Sequence, residues 1–132
     1  MSGEPLVVPL HRVLEETYVL CLGLFTLGFE PNELQVGPAI VANLTPHGLW
    51  WGVIVRRGPC VLPIALIPLM NDAQAARCAS AWGAYCADPP SDAATHRIIS
   101  NSRVLDKEAA ITAALEAEGF ELPEPEPGPL TN

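Results

Sequence analysis

The sequence predicts an α+β fold in which an N-terminal helix precedes a three-stranded antiparallel meander and three C-terminal helices pack on the sheet. Apolar residues recur at helical spacing over residues 10–27 and again after residue 71, whereas residues 34–66 are rich in β-branched residues and interrupted by turn residues. The length of 132 residues suits one domain. We expect this domain to span residues 1–122, and the alternating prolines of residues 123–132 predict a flexible acidic tail.

The first predicted helix runs from residue 10 to about residue 27. Its apolar side chains form one stripe at helical spacing, and Gly28 and Pro31 end it. Its second half is apolar on all sides, which predicts burial against the sheet. The apolar run at residues 17–29 is shorter than the roughly 18 residues that a membrane span needs, so we expect no membrane anchor.

The first strand is predicted over residues 34–44, where β-branched and small residues dominate. Gly37 and Pro38 interrupt this stretch and predict a bulge or a late start of the strand. The following TPHG has Pro46 and Gly48 where a type I turn prefers them. A turn at this point makes the first strand antiparallel to the second.

Residues 49–66 predict a β-hairpin, because the turn residues 56–59 (RRGP) separate two apolar runs of strand length. We expect Arg57 and Gly58 to form a two-residue loop. The return strand is expected to be an edge strand or to end near Pro63, since proline cannot donate a hydrogen bond to the sheet.

Strict alternation divides this hairpin into two faces. The face predicted to be core consists of Leu49, Trp51, Val53, Val55, Cys60, Leu62, Ile64 and Leu66. The second face is half apolar, and its large apolar side chains are Trp50, Ile54 and Val61. Either a helix of the same chain covers this second face, or the face forms an interface; a symmetric homodimer is the commonest assembly.

The tryptophans also permit a different function. If Trp50 and Trp82 both bordered a cavity between the sheet and the helices, they could line a binding site for a small apolar ligand. Packing within the core is the more ordinary role of such rings.

Three helices are predicted after the sheet. Asn71 and Ser91 are N-cap residues for helices that reach about residue 86 and residue 100, and Asp106 is the expected cap of the last helix. Gly119 ends that helix. Its expected inward-facing residues are Ala110, Ile111, Ala114 and Leu115.

The charge distribution disfavours two classes of partner. The net charge is −8, and seven of the fifteen acidic residues but only one of the seven basic residues lie from Asp106 onward. An acidic chain repels phosphate backbones and anionic lipid surfaces, so we expect neither nucleic-acid nor membrane binding. Arg56 and Arg57 are expected to be a solvated hairpin tip.

Acidic residues precede the first apolar run, which is atypical of an export signal and favours a cytoplasmic protein.

No catalytic or metal-binding motif is visible in the sequence. The four cysteines show no C-x-x-C spacing and no histidine at ligand spacing, so we expect reduced, buried, mutually distant thiols and neither metal nor cofactor. We therefore expect a non-enzymatic interaction or accessory protein that self-associates through the second hairpin face. An apolar-ligand binder is the alternative, and an enzyme with a Cys or His site ranks third.

Overall fold

The computed structural model describes residues 8–40 and 48–123. In chain order its elements are helix α1 (Leu10–Thr26), a 3-10 turn (Pro31–Glu33), strands β1 (Leu34–Ile40), β2 (Leu49–Arg57) and β3 (Cys60–Pro68), helices α2 (Asp72–Ala87) and α3 (Asp92–Asn101), a 3-10 segment (Val104–Lys107) and helix α4 (Glu108–Ala117). The predicted α+β order is confirmed. Of the turn predicted at residues 45–48 only Gly48 is described, and residues 124–132 of the predicted tail lie outside the described ranges.

Two of the predicted helix starts are confirmed by their capping hydrogen bonds. The Asn71 side chain accepts from the Gln74 N–H at 2.9 Å, and the Ser91 hydroxyl accepts from the Ala94 N–H at 3.2 Å. Each bond satisfies a backbone donor that the first turn of a helix leaves without a partner.

The predicted start of the last helix is wrong. The Asp106 N–H donates to the Arg103 carbonyl at 3.1 Å, so Asp106 already lies inside the 3-10 segment and α4 begins at Glu108. Ala110 is exposed, because the inward stripe of α4 passes through Ile111 and the fully buried Leu115 at i, i+4 spacing.

The strands form one antiparallel sheet in the order β1-β2-β3. Arg57 pairs with Cys60, so the hairpin loop is Gly58-Pro59 and the predicted Arg57-Gly58 loop is wrong. Gly58 has a φ of 57° and occupies the first loop position, where a type II′ turn requires glycine. The observed pairing differs from the predicted one by two residues, and since side chains alternate with a period of two, both predicted faces are retained.

The irregularity of the sheet is in β3 rather than β1. Pairing is continuous through Gly37 and Pro38, which contradicts the predicted bulge there. In contrast, Gly52 pairs with Ala65 while Trp51 pairs with Ile67, which leaves one extra residue in β3.

Strand β3 also continues to Pro68 instead of ending near Pro63. It tolerates both prolines because it is an edge strand, where a missing N–H on the outward side breaks no bond of the sheet.

All four described α-helices pack on one face of the sheet. Trp51, Val53 and Val55 are fully buried there, as predicted. The buried residues that surround these side chains include Val13, Val19, Leu20 and Leu24 of α1, Ala75 and Cys78 of α2, Ile98 of α3 and Leu115 of α4.

Helix α1 is fixed to β2 by a buried polar contact. The Trp51 indole N–H donates to the Thr17 hydroxyl at 3.1 Å, and that hydroxyl donates to the Val13 carbonyl at 2.6 Å. The expected burial of the second half of α1 on all sides is wrong at Phe25, which is 41% exposed. Within the described residues, no helix is long and apolar enough to cross a membrane.

Arg57 is partly exposed, with 35% of its side chain accessible, and specific contacts hold its guanidinium in place. Its guanidinium donates to both carboxylate oxygens of Glu33, at 2.8 and 2.9 Å, and to the Gly28 carbonyl at 3.1 Å. It also lies over the Phe29 ring, 4.3 Å from the centroid. These contacts attach the hairpin tip to the connection between α1 and β1, whereas Arg56 is exposed as expected.

Candidate functional site

The candidate site is the face of the sheet opposite the helices, which we call the open face. Alternation and the observed pairing assign it Gln35, Gly37, Ala39, Trp50, Gly52, Ile54, Arg56, Val61, Pro63, Ala65 and Pro68. None of the described helices covers this face, because each contributes to the core around Trp51, Val53 and Val55 on the other side.

The open face has few polar groups. Among the described strand residues that form it, Arg56 is the single formal charge, Gln35 is the single amide, and none is acidic. Val61 is 37% exposed, and Ile54 and Pro63 are partly exposed. The available surface is therefore apolar and nearly uncharged.

Trp50 lies on the open face but has no surface left to offer a partner, because its relative exposure is 0%. Its ring lies over Gly52, where an added Cβ would be 2.8 Å from Trp50 Cζ3 and would overlap the Ile64 carbonyl oxygen. The indole N–H is buried, with no hydrogen-bond partner found in the part of the chain that the structure describes. Of the expected interface residues, Ile54 and Val61 are the ones with accessible surface.

Trp82 lies on the helix side of the sheet, in α2, and packs against the core around Val53 and Trp51. The structure therefore does not bring Trp50 and Trp82 together. Trp82 stacks on Tyr85 with ring centroids 5.7 Å apart and an interplanar angle of 15°.

A cavity of about 270 Å³ lies beside Trp82, between α1, α2 and β1. Its aromatic lining consists of Tyr18, Phe25, Trp82 and Tyr85, and two thiols, Cys21 and Cys86, complete part of the wall. Sequence reasoning missed the Tyr18, Phe25 and Tyr85 contributions. A usable signal was present, because Tyr18 and Phe25 share one face of α1 and Trp82 and Tyr85 share one face of α2.

The thiols are poor candidates for nucleophiles. Burial, and secondarily the charge of Cys86, raise the pKa of Cys21 to about 12, and desolvation also raises the pKa values of Cys78 and Cys86. A thiol reacts as its thiolate, so these groups are protonated and slow at neutral pH. All four cysteines are free, but the expected burial is wrong for Cys86, which is exposed, and incomplete for Cys60.

A metal centre is also not apparent. Within residues 8–40 and 48–123, no group of three or more His, Cys, Asp or Glu side chains could hold a metal ion. His11 and His96 are both exposed.

Comparison with known proteins returned no relatives: no family model, no curated protein and no solved structure matches this chain. Function is therefore inferred from the burial, charge and pairing of the residues themselves.

Proposed function

We propose that this chain is a small, non-enzymatic interaction protein that forms a weak homodimer through the open face of its sheet. The observation that supports the proposal is the placement of all four described α-helices on the opposite face. An antiparallel sheet tolerates water on one face when that face is polar, whereas here Val61 and Ala65 are exposed and Pro63 is partly exposed. Packing against a second sheet buries them.

A second copy of the chain suits this face on electrostatic grounds. Two chains of net charge −8 repel each other wherever their acidic surfaces meet. No described strand residue of the open face is acidic, so a two-fold axis through it keeps the carboxylates of the described residues of both copies in water.

Packing face to face is also favoured over pairing edge to edge. Both edge strands contain proline, at Pro38 in β1 and at Pro63 and Pro68 in β3, and proline cannot donate to a new partner strand. Two stacked sheets with their side chains interdigitated lie about 10 Å apart.

The size of the face limits the affinity. Three strands about 4.8 Å apart and roughly eight residues long at about 3.3 Å per residue cover an area of about 400 Å² per subunit. A stable interface buries about 800 Å² per partner, so we expect a weak dimer whose population depends on concentration. Because Trp50 is already buried, Ile54, Val61 and Pro63 supply most of the apolar contact.

Sedimentation equilibrium tests the proposal, with protein concentrations from about 10 μM to about 1 mM. We expect a concentration-dependent dimer for the wild type and a monomer for Ile54→Glu, because the new carboxylate would be desolvated between the sheets. Leu105→Glu is the matched control: it places the same charge on an exposed apolar residue of the 3-10 segment and should leave the dimer intact.

A wild type that is monomeric at about 1 mM, or an Ile54→Glu protein that still dimerises, contradicts the proposal. Circular dichroism establishes whether each variant is folded. If Ile54→Glu unfolds, Val61→Glu gives the same test at a more exposed position.

A second candidate function is binding of a small apolar ligand in the cavity beside Trp82. The observation in its favour is the convergence of four aromatic side chains on one cavity of about 270 Å³, near the lower end of the size of ligand sites. Saturable binding of indole, measured by isothermal titration calorimetry and weakened in Trp82→Ala, tests it. Free thiols suit a reducing compartment, and we propose a cytoplasmic location on that ground.

A further inference from the structure

A cleft of about 330 Å³ lies between the first turns of α1, the end of β3 and the 3-10 segment before α4. Its floor is apolar and includes Val13, Leu66 and Ile67. Ile67 pairs with Trp51 in the sheet and is buried with it, so the cleft opens on the helix side, away from the open face.

Three of the seven basic residues of the chain line this cleft: Arg12, Arg103 and Lys107. Among the described residues of the lining, Glu16 is the one acidic residue. This local cluster of positive charge contrasts with the net charge of the chain, which is −8.

Arg12 and Glu16 belong to the framework of the cleft. The Arg12 guanidinium donates to the Asn101 carbonyl at 3.0 Å and lies 3.8 Å from the Glu16 carboxylate. Glu16 in turn accepts from the Ser102 hydroxyl at 2.9 Å and from the Val104 N–H at 3.2 Å. Arg12 also lies 3.8 Å from the Glu15 carboxylate, so two carboxylates offset its charge. These contacts hold α1 against the loop after α3.

Arg103 and Lys107 remain uncompensated. Within the described parts of the chain, neither side chain has an ion pair or a hydrogen bond, and both are exposed. They lie at the two ends of the 3-10 segment, and both line the cleft. The neighbouring Glu108 lines a different groove, beside Leu24.

We propose that this cleft binds a small amphiphilic anion, an aliphatic carboxylate, with its headgroup between Arg103 and Lys107 and its hydrocarbon chain on the apolar floor. The two cations attract the carboxylate and provide charge-assisted hydrogen bonds. A small inorganic anion would leave the floor unfilled, and a neutral hydrocarbon would leave the cations uncompensated. The cleft is roughly twice the size of a cavity of about 150 Å³ that holds benzene, which suits a chain of six to eight carbons.

Isothermal titration calorimetry of the full chain with octanoate at low ionic strength tests this inference. Octanol and acetate are the comparison ligands, because the first lacks the charge and the second lacks the chain. Lys107→Glu is the test variant. Arg77→Glu is its matched control, since it makes the same change of charge at an exposed residue of α2 outside the cleft.

We expect saturable binding of octanoate by the wild type and by Arg77→Glu. Binding should be at least about tenfold weaker for Lys107→Glu, and octanol and acetate should bind wild type at least about tenfold more weakly than octanoate does. Any of three results would overturn the inference: no saturable binding of octanoate, equal losses in Lys107→Glu and Arg77→Glu, or equal affinity for octanol. Should Lys107→Glu fail to fold by circular dichroism, Lys107→Gln removes the same cation without adding a carboxylate.

Discussion

Replacing Gly52 with alanine is expected to destabilise the protein strongly. Gly52 is in the central strand, and the added Cβ would lie 2.8 Å from Trp50 Cζ3, 3.0 Å from Ala65 Cα and in overlap with the Ile64 carbonyl oxygen. Two of these three atoms belong to the backbone of β3. Relief of the clash therefore requires a shift of the β2–β3 pairing, because a change of side-chain rotamer cannot move a backbone atom.

The expected loss of free energy of unfolding follows from two opposing effects. Overpacking of a well-packed core lowers the free energy of unfolding by about 1–3 kcal/mol. Because the clash here is with backbone atoms, we expect a decrease at or above about 3 kcal/mol from this effect. Alanine also restricts the unfolded chain more than glycine does, which raises the free energy of unfolding by about 0.4–1 kcal/mol. The net loss is about 2–3 kcal/mol, which lowers Tm by about 10 °C for a chain of this length.

Urea and thermal unfolding, followed by circular dichroism and tryptophan fluorescence, measure this loss. Gly37→Ala is the matched control, because Gly37 is directly opposite Gly52 in β1 and a Cβ there meets no atom within 4 Å. Alanine is better than glycine in a strand by about 0.5–1 kcal/mol, so Gly37→Ala should be neutral or stabilising. A Gly52→Ala protein as stable as wild type would show that Trp50 is not packed over this glycine.

Three further predictions concern acid stability, thiol reactivity and the C-terminal residues. Hydrogen bonds from Arg57 and from the Glu30 backbone lower the pKa of Glu33 from 4.5 to about 2, so its contribution to stability is complete above the unfolded pKa and is lost as the pH falls toward about 2. Urea midpoints of wild type and Glu33→Gln should therefore differ at neutral pH and converge in acid; a constant difference contradicts this. A thiol reagent should label the exposed Cys86 first and the buried Cys21 only on unfolding, which mass spectrometry can resolve. Deletion of residues 123–132 should leave Tm unchanged within error, because alternating proline and glutamate bury little apolar area, and a fall of several degrees would show that this segment is docked.

Local signals made most of the fold predictable. The caps at Asn71 and Ser91 each depend on residues three positions apart, and the burial of Trp51 and Val53 follows from alternation alone. Alternation cannot distinguish registers that differ by two residues, since both place the same side chains on the same face. The register is fixed by Gly58, whose positive φ places it at the first position of the loop.

The features that sequence reasoning missed depend on residues far apart in the chain. Arg57 and Glu33 are separated by 24 positions, and the cleft joins Arg12 to Lys107 across most of the domain. No periodic pattern relates such residues, because their proximity results from the docking of complete elements. For the open face, alternation correctly separated Trp50 from the core face, but alternation does not predict that the exposure of Trp50 is 0%.

The contact between Phe29 and Phe120 has a consequence for synthesis on the ribosome. Their rings meet edge to face with centroids 5.5 Å apart, and both belong to the core that α1 shares with Leu115. The apolar surface of α1 therefore cannot be fully covered until residue 120 has been made. At about 5–20 residues per second, the nascent chain exposes that surface for roughly 5–20 s, long enough for a chaperone to bind or for neighbouring nascent chains to associate.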